Sequence, residues 1–170
     1  MALVFRAITS KRVWDKNRSE GEQWLANADV RADALKSLKT EDNTLSIYII
    51  DELIQLDRLL AAYCAGRQRI GSIDFVLFNQ TILDDVQVEC VASSGKVPDL
   101  EVARWHGDLV RLSGRRLVEL ACRIQNDGTI ERRLDKPVAR LIRASLHQQF
   151  FREQELTEEL LASLSNPKYG

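Results

Sequence analysis

The sequence predicts an α/β (or α+β) fold: a small, partly parallel sheet of about four strands, with packed helices and a helical C-terminal half. Three observations predict it. Residues 43–79 read as a strand, a helix and a second strand, the sequence form of a parallel crossover. Residues 86–91 alternate between apolar and polar side chains. From Pro98 onward, apolar residues recur at helical spacing almost to the end of the chain.

Taken in order, residues 2–8 (ALVFRAI) suit a strand, and residues 10–21 a polar loop pinned by Trp14. Trp24 and Leu25 suggest one helical turn. A helix is expected over 29–38, where Val30, Ala34, Leu35 and Leu38 share a face and Lys36 and Lys39 lie near the end that favours cations. In TLSIYII (44–50), Leu45, Ile47 and Ile49 face one way, and Tyr48 and Ile50 give the other side apolar bulk too. Such a strand belongs inside a sheet covered on both faces. Asp51 and Glu52 stand where carboxylates cap a helix start, and Leu53, Leu56, Leu59, Leu60 and Tyr63 follow at helical spacing. Gly66 suits its stop, and IDFVLF (73–78) a short buried strand.

Residues 80–85 suit a short helical turn, and 86–91 a strand with one wet face, hence near an edge. Ser93, Ser94, Gly95 and Lys96 form a turn, and Pro98 suits the first turn of a helix. Val102, Trp105, His106, Leu109 and Leu112 read as one helical stripe, and Leu117, Leu120, Ala121 and Ile124 as another. Asp135 with Pro137 signals a further helix start. The last helix has Leu156, Leu160, Leu161 and Leu164 on one side and glutamates on the other. Residues 1–150 therefore read as a single domain, and 151–170 as a C-terminal helix and frayed tail docked on it.

At 45% apolar residues the chain can build a packed core. Cys64, Cys90 and Cys122 are odd in number and lack metal-ligand spacing, so they read as buried free thiols of a reducing compartment. No stretch nears the roughly 18 apolar residues of a membrane span, and the first residues do not resemble a signal peptide. A cytoplasmic location is expected. The net charge of −1 hides an asymmetry: residues 41–100 hold four basic and ten acidic side chains, whereas residues 101–152 hold eleven basic and six acidic. Basic elements covering an acidic part of the fold would satisfy it, and so would a partner.

Open α/β sheets bind ligands at strand carboxyl ends, which here implicates Asp51, Asn79, Ser93, Ser94 and Lys96. The plainer reading of these residues is turns and caps, because the spaced glycines and Lys-Ser/Thr pair of a phosphate loop are missing. His106 and His147 are the sole histidines; a general base needs a partner and an opening, and a satisfied, half-buried histidine is the simpler reading. Asp84-Asp85 and Asp51-Glu52 name no third ligand, so no metal is expected. Arginine outnumbers lysine seventeen to seven, and Arg115, Arg116, Arg132, Arg133, Arg140 and Arg143 lie in the helical half. Arginine forks onto carboxylates and phosphates and is enriched at interfaces.

The leading expectation is a non-catalytic module for protein–protein interaction or self-association, without cofactor, binding a protein partner or a second copy through Arg115, Arg116, Arg140, Arg143, Leu160 and Leu164. The alternatives are a small hydrolase or transferase working at the strand ends, and an arginine-based binder of nucleic acid or another polyanion. Interleaved carboxylates and few aromatics weigh against the last.

Overall fold

The computed structural model describes residues 2–14 and 30–169. The turn expected at Trp24 and Leu25, and the loop from residue 15 onward, lie outside them. In chain order the elements are β1 (Leu3–Ile8), α1 (Ala32–Leu38), β2 (Leu45–Ile50), α2 (Leu56–Ala65), β3 (Ile73–Asn79), α3 (Thr81–Asp85) and β4 (Glu89–Ala92). Then follow α4 (Leu100–Arg104), β5 (His106–Val110), α5 (Gly114–Asp127), β6 (Thr129–Arg133), α6 (Asp135–His147) and α7 (Glu158–Leu164). None of the helices is long and apolar enough to cross a membrane, among the described residues.

The strands form one six-stranded sheet in the order β4-β5-β2-β1-β3-β6. Every hydrogen-bonded pair is antiparallel, which corrects the partly parallel sheet of about four strands expected from the sequence. The physical reason lies in β1. The strand–helix–strand order of β2, α2 and β3 is present, and both strands run antiparallel to β1, so they point the same way. They do not touch, because β1 occupies the place between them, pairing Leu3 with both Ile50 and Asn79.

Helices cover both faces, so the alternation of side chains along each strand feeds two cores. Phe5, Tyr48, Ile50, Phe75 and Leu77 face α2, α4, α6 and α7, meeting Leu59, Leu60, Val102, Ile142 and Leu160. Val4, Ile8, Leu45, Ile47, Val76 and Leu109 face α1, α3 and α5, meeting Leu38, Ile82, Leu120 and Ile124. Burying each of these larger side chains contributes about 1.5–3 kcal/mol relative to exposure. Trp14 is buried against α1, its indole Nε1 donating to Ser37 Oγ at 2.7 Å.

Two further elements depart from expectation. The stripe from Val102 to Leu112 is a five-residue helix followed by a strand: α4 stops at Arg104, and β5 pairs its backbone with β2 on one side and β4 on the other. Pairing on both edges outweighs the local helical spacing. β6 (TIERR) is a polar edge strand on β3 that apolar periodicity could not reveal. At the start of the α2 segment, the Gln55 amide oxygen accepts from the Asp51 and Glu52 backbone amides, at 2.7 and 3.0 Å, as one half of a capping box with Glu52.

The charge asymmetry is met in large part within the chain. Arg111, Arg123, Arg132 and Arg133 of the basic segment pair with Glu89, Asp85, Asp74 and Asp57 of the acidic one. Arg132 grips the buried Asp74 through two hydrogen bonds of 2.6 and 2.7 Å and holds its carboxyl below the usual range.

Candidate active site

The antiparallel register of β2 and β5 places Ser46 opposite Asp108 and Tyr48 opposite His106. Residues two apart on a strand share a face, so these four side chains stand together, on the side of the sheet that α2 and α4 cover. The β1–β2 ladder ends at Phe5–Tyr48. Beyond it, the Arg6 guanidinium takes over the role of the ladder, donating to the carbonyls of Ser46 (2.7 Å) and Leu38 (2.6 Å). A cleft of about 510 Å³ opens above this break. The sheet is its floor; Tyr63, Gly66 and Arg67 at the end of α2 form one wall, and residues 93–97 form the other.

The polar floor is a connected chain. Ser93 Oγ lies 2.7 Å from Asp108 Oδ2 and 2.8 Å from His106 Nδ1, and Ser46 Oγ donates to Asp108 Oδ1 at 2.8 Å. Counting protons assigns the roles. An ionised carboxylate only accepts, so the single Ser93 proton goes to Asp108 and His106 Nδ1 donates to Ser93 Oγ. In the neutral ring Nε2 then carries the lone pair, and it makes no hydrogen bond to any described residue. Tyr48 packs edge-on against the imidazole with ring centroids 5.0 Å apart.

The electrostatics agree with that assignment. Burial works against a charged Asp108, but the Ser93 and Ser46 hydroxyls and the neighbouring His106 outweigh it and hold the carboxyl below its usual range. Burial pushes His106 down from 6.5; Asp108 opposes this and Arg6 adds to it, so the ring is neutral at pH 7. Burial, with Tyr63 beside it, pushes the Tyr48 phenol up to about 12, so its hydroxyl stays protonated. Burial likewise raises Cys64 to about 11, and raises Cys90, which leaves these thiols protonated and poor nucleophiles near neutral pH. No group of three or more His, Cys, Asp or Glu side chains is placed to hold a metal, among the described residues.

Of the strand-end residues singled out in the sequence, Ser93, Ser94 and Lys96 line this cleft. Asp51 and Asn79 do not: the Asp51 amide donates to Gln55, and Asn79 Oδ1 accepts from the Thr81 amide at 3.0 Å. Leu160 and Leu164 are buried in the core facing α2 and α6. Arg143 donates to the carbonyls of Leu164 and Tyr169 and so ties α7 and the chain after it to α6. Arg115 pairs with Glu119 one helical turn on; Arg116 and Arg140 lie on α5 and α6, away from the cleft lining. Sequence reasoning passed over Arg6, Ser46, Tyr48, Tyr63, Arg67 and Asp108. The available signals were Arg6 as the one charge in an apolar strand, and His106 and Asp108 at a spacing that unites them only on a strand.

These features define a three-layer α/β/α domain with a histidine–serine–aspartate chain in the floor of an open cleft. No protein-family model matches the sequence, and neither a curated protein nor a solved structure matches it.

Proposed function

We propose that the protein is a small hydrolase or transferase that binds a small molecule in the cleft over β1, β2 and β5 and uses His106 Nε2 as a general base. The observation that carries this reading is the chain Asp108–Ser93–His106, which anchors one ring nitrogen and leaves the other unpartnered in a cleft of about 510 Å³. Sites for small molecules typically span about 300–1,000 Å³. A base held neutral at pH 7 accepts a proton from water or a ligand hydroxyl, which is worth about 10²–10⁴ in rate. The protonated Tyr48 hydroxyl supplies a donor for charge that develops on the ligand. Ser93 acts as a positioning residue, because its own proton is committed to Asp108.

Long-range proton–nitrogen spectra of the two imidazoles test the arrangement directly: His106 is expected as the Nδ1–H tautomer in the free protein. Binding and turnover of a small-molecule panel, followed by mass spectrometry, test the activity. His106→Gln is expected to abolish turnover and retain binding. An Nε2–H tautomer for His106 would refute the proposal.

A second reading, a surface for a protein partner or a second copy, draws on exposed apolar side chains. Ile54 is 82% exposed and Leu100 75%, with Leu53 and Leu134 also out in solvent. A light-scattering mass equal to the monomer, unchanged with concentration, counts against the self-association form of this reading.

A further inference from the structure

We infer that the ligand of this cleft carries an oxyanion, a phosphate or a carboxylate, held at the mouth by Arg67 and Lys96; this rests on the reading of the cleft as an active site. Six arginines outside the cleft, Arg58, Arg111, Arg115, Arg123, Arg132 and Arg133, each have an acidic partner. The cleft is different. Arg6, Arg67 and Lys96 line it, with Asp108 as the one carboxylate among the lining residues, and both oxygens of Asp108 are taken by serine hydroxyls.

Lys96 has no ion-pair partner among the described residues. The polar contact of Arg67 is a long one, 3.3 Å to the Ser72 carbonyl, and its guanidinium lies 5.5 Å from the centre of the Tyr63 ring. The two cations come from walls that abut: a Cβ built on Gly66 would lie 3.6 Å from the Lys96 carbonyl oxygen. Beneath them Arg6 contributes a third positive charge, and its Nε is buried without a partner. Two cations beside a basic imidazole and a phenolic donor suit a small molecule with one acidic group and one group that gives up a proton. A polynucleotide would need a longer basic track, and Arg111, Arg123, Arg132 and Arg133 are engaged with carboxylates instead.

The test uses the full chain at neutral pH and constant ionic strength, with chloride as the reference salt. Inorganic phosphate is titrated in one arm and acetate in the other, while both imidazoles are followed by nitrogen-resolved spectra. His147, exposed on α6 and outside the cleft lining, is the internal control. The His106 signals are expected to shift and saturate while those of His147 do not. Arg67→Gln and Lys96→Gln are each expected to weaken the midpoint about tenfold, the loss of one charge-assisted contact. The arm with the lower midpoint identifies the oxyanion. His106 signals that move no more than those of His147 in both arms would overturn the inference. So would saturable binding left unchanged in the Arg67→Gln/Lys96→Gln double variant. With His106 in its Nδ1–H form, such a result removes the oxyanion and leaves the general base standing; an Nε2–H ring removes the general base whatever the salts do.

Discussion

Arg58 ties the two walls of the cleft together through ion pairs to Asp99 and to Glu101, the latter from Nη1 to Oε2 at 2.7 Å, and its removal gives the sharpest stability test. Asp99 is 1% exposed, and its carboxylate accepts from Arg58 Nε at 2.6 Å and Nη2 at 3.0 Å. It also caps α4, accepting from the amides of Glu101 (3.0 Å) and Val102 (3.2 Å). Arg58 belongs to α2, which carries Tyr63 toward the cleft; Asp99 ends the segment that carries Ser93 and Lys96. The perturbation is Arg58→Met, which keeps an unbranched apolar stem and deletes the charge. Stripping one partner from a buried pair costs about 3–5 kcal/mol. The two α4 amides remain on the carboxylate, and the Arg58 side chain is 24% exposed, so water recovers part of that loss. The guanidinium also sits 3.9 Å from the centre of the Phe150 ring, a contact worth about 0.5–2 kcal/mol. The expected loss is about 3 kcal/mol. With a urea slope of about 2 kcal/mol per molar, the unfolding midpoint falls by about 1.5 M. Adding Asp99→Asn to Arg58→Met is expected to cost less than the two single changes together, by at least about 1 kcal/mol. A loss below about 1 kcal/mol at unchanged slope, with additive single changes, would refute the clamp.

Other expectations concern the site itself. In Asp108→Asn, an amide donor facing Ser93 turns the serine proton toward His106 Nδ1, so the imidazole spectrum is expected to switch to the Nε2–H tautomer; an unchanged tautomer would contradict the proton count. A Cβ on Gly95 would lie 2.7 Å from the Tyr48 hydroxyl and 3.1 Å from His106 Cβ, so Gly95→Ala is expected to cost about 1–3 kcal/mol and to displace the His106 signals while sparing those of His147. The pH dependence follows from the lowered His106 value. Between that value and 6.5 the unfolded chain binds more protons, so stability is full above 6.5 and falls as pH drops through the folded value. Urea midpoints over that window are expected to decline in the wild type and to flatten in His106→Phe; equal slopes would rule the linkage out.

The parts of the fold that were legible in the sequence share one property: local pattern and tertiary demand agree there. β2 is apolar on both faces because helices cover both, and α2 and α7 show the stripes that they bury. The failures come where pairing decides. Val102, Trp105, Leu109 and Leu112 fit a helix on spacing alone, and the strand that supersedes it exists because β2 and β4 each offer an edge. That one misreading hid the site, since His106 and Asp108 diverge on a helix and stand side by side on a strand. The strand order was equally out of reach: nothing in 45–79 announces that a segment some forty residues earlier fills the place between its two strands.

That insertion has a consequence for how the molecule comes together. β1 is an internal plank laid between two boards that are joined to each other elsewhere, and none of its ladder partners comes before residue 48. The earliest strand must therefore wait, unpaired, for partners made much later, which places its docking among the slow, long-range steps of folding. Deleting it would not shorten the sheet from one end but would leave a slot with two facing rows of unsatisfied amides and carbonyls. A separate peptide of the same sequence, or the equivalent segment of another copy, has the shape to fill that slot, making the first strand the natural place to divide this protein into two complementing pieces.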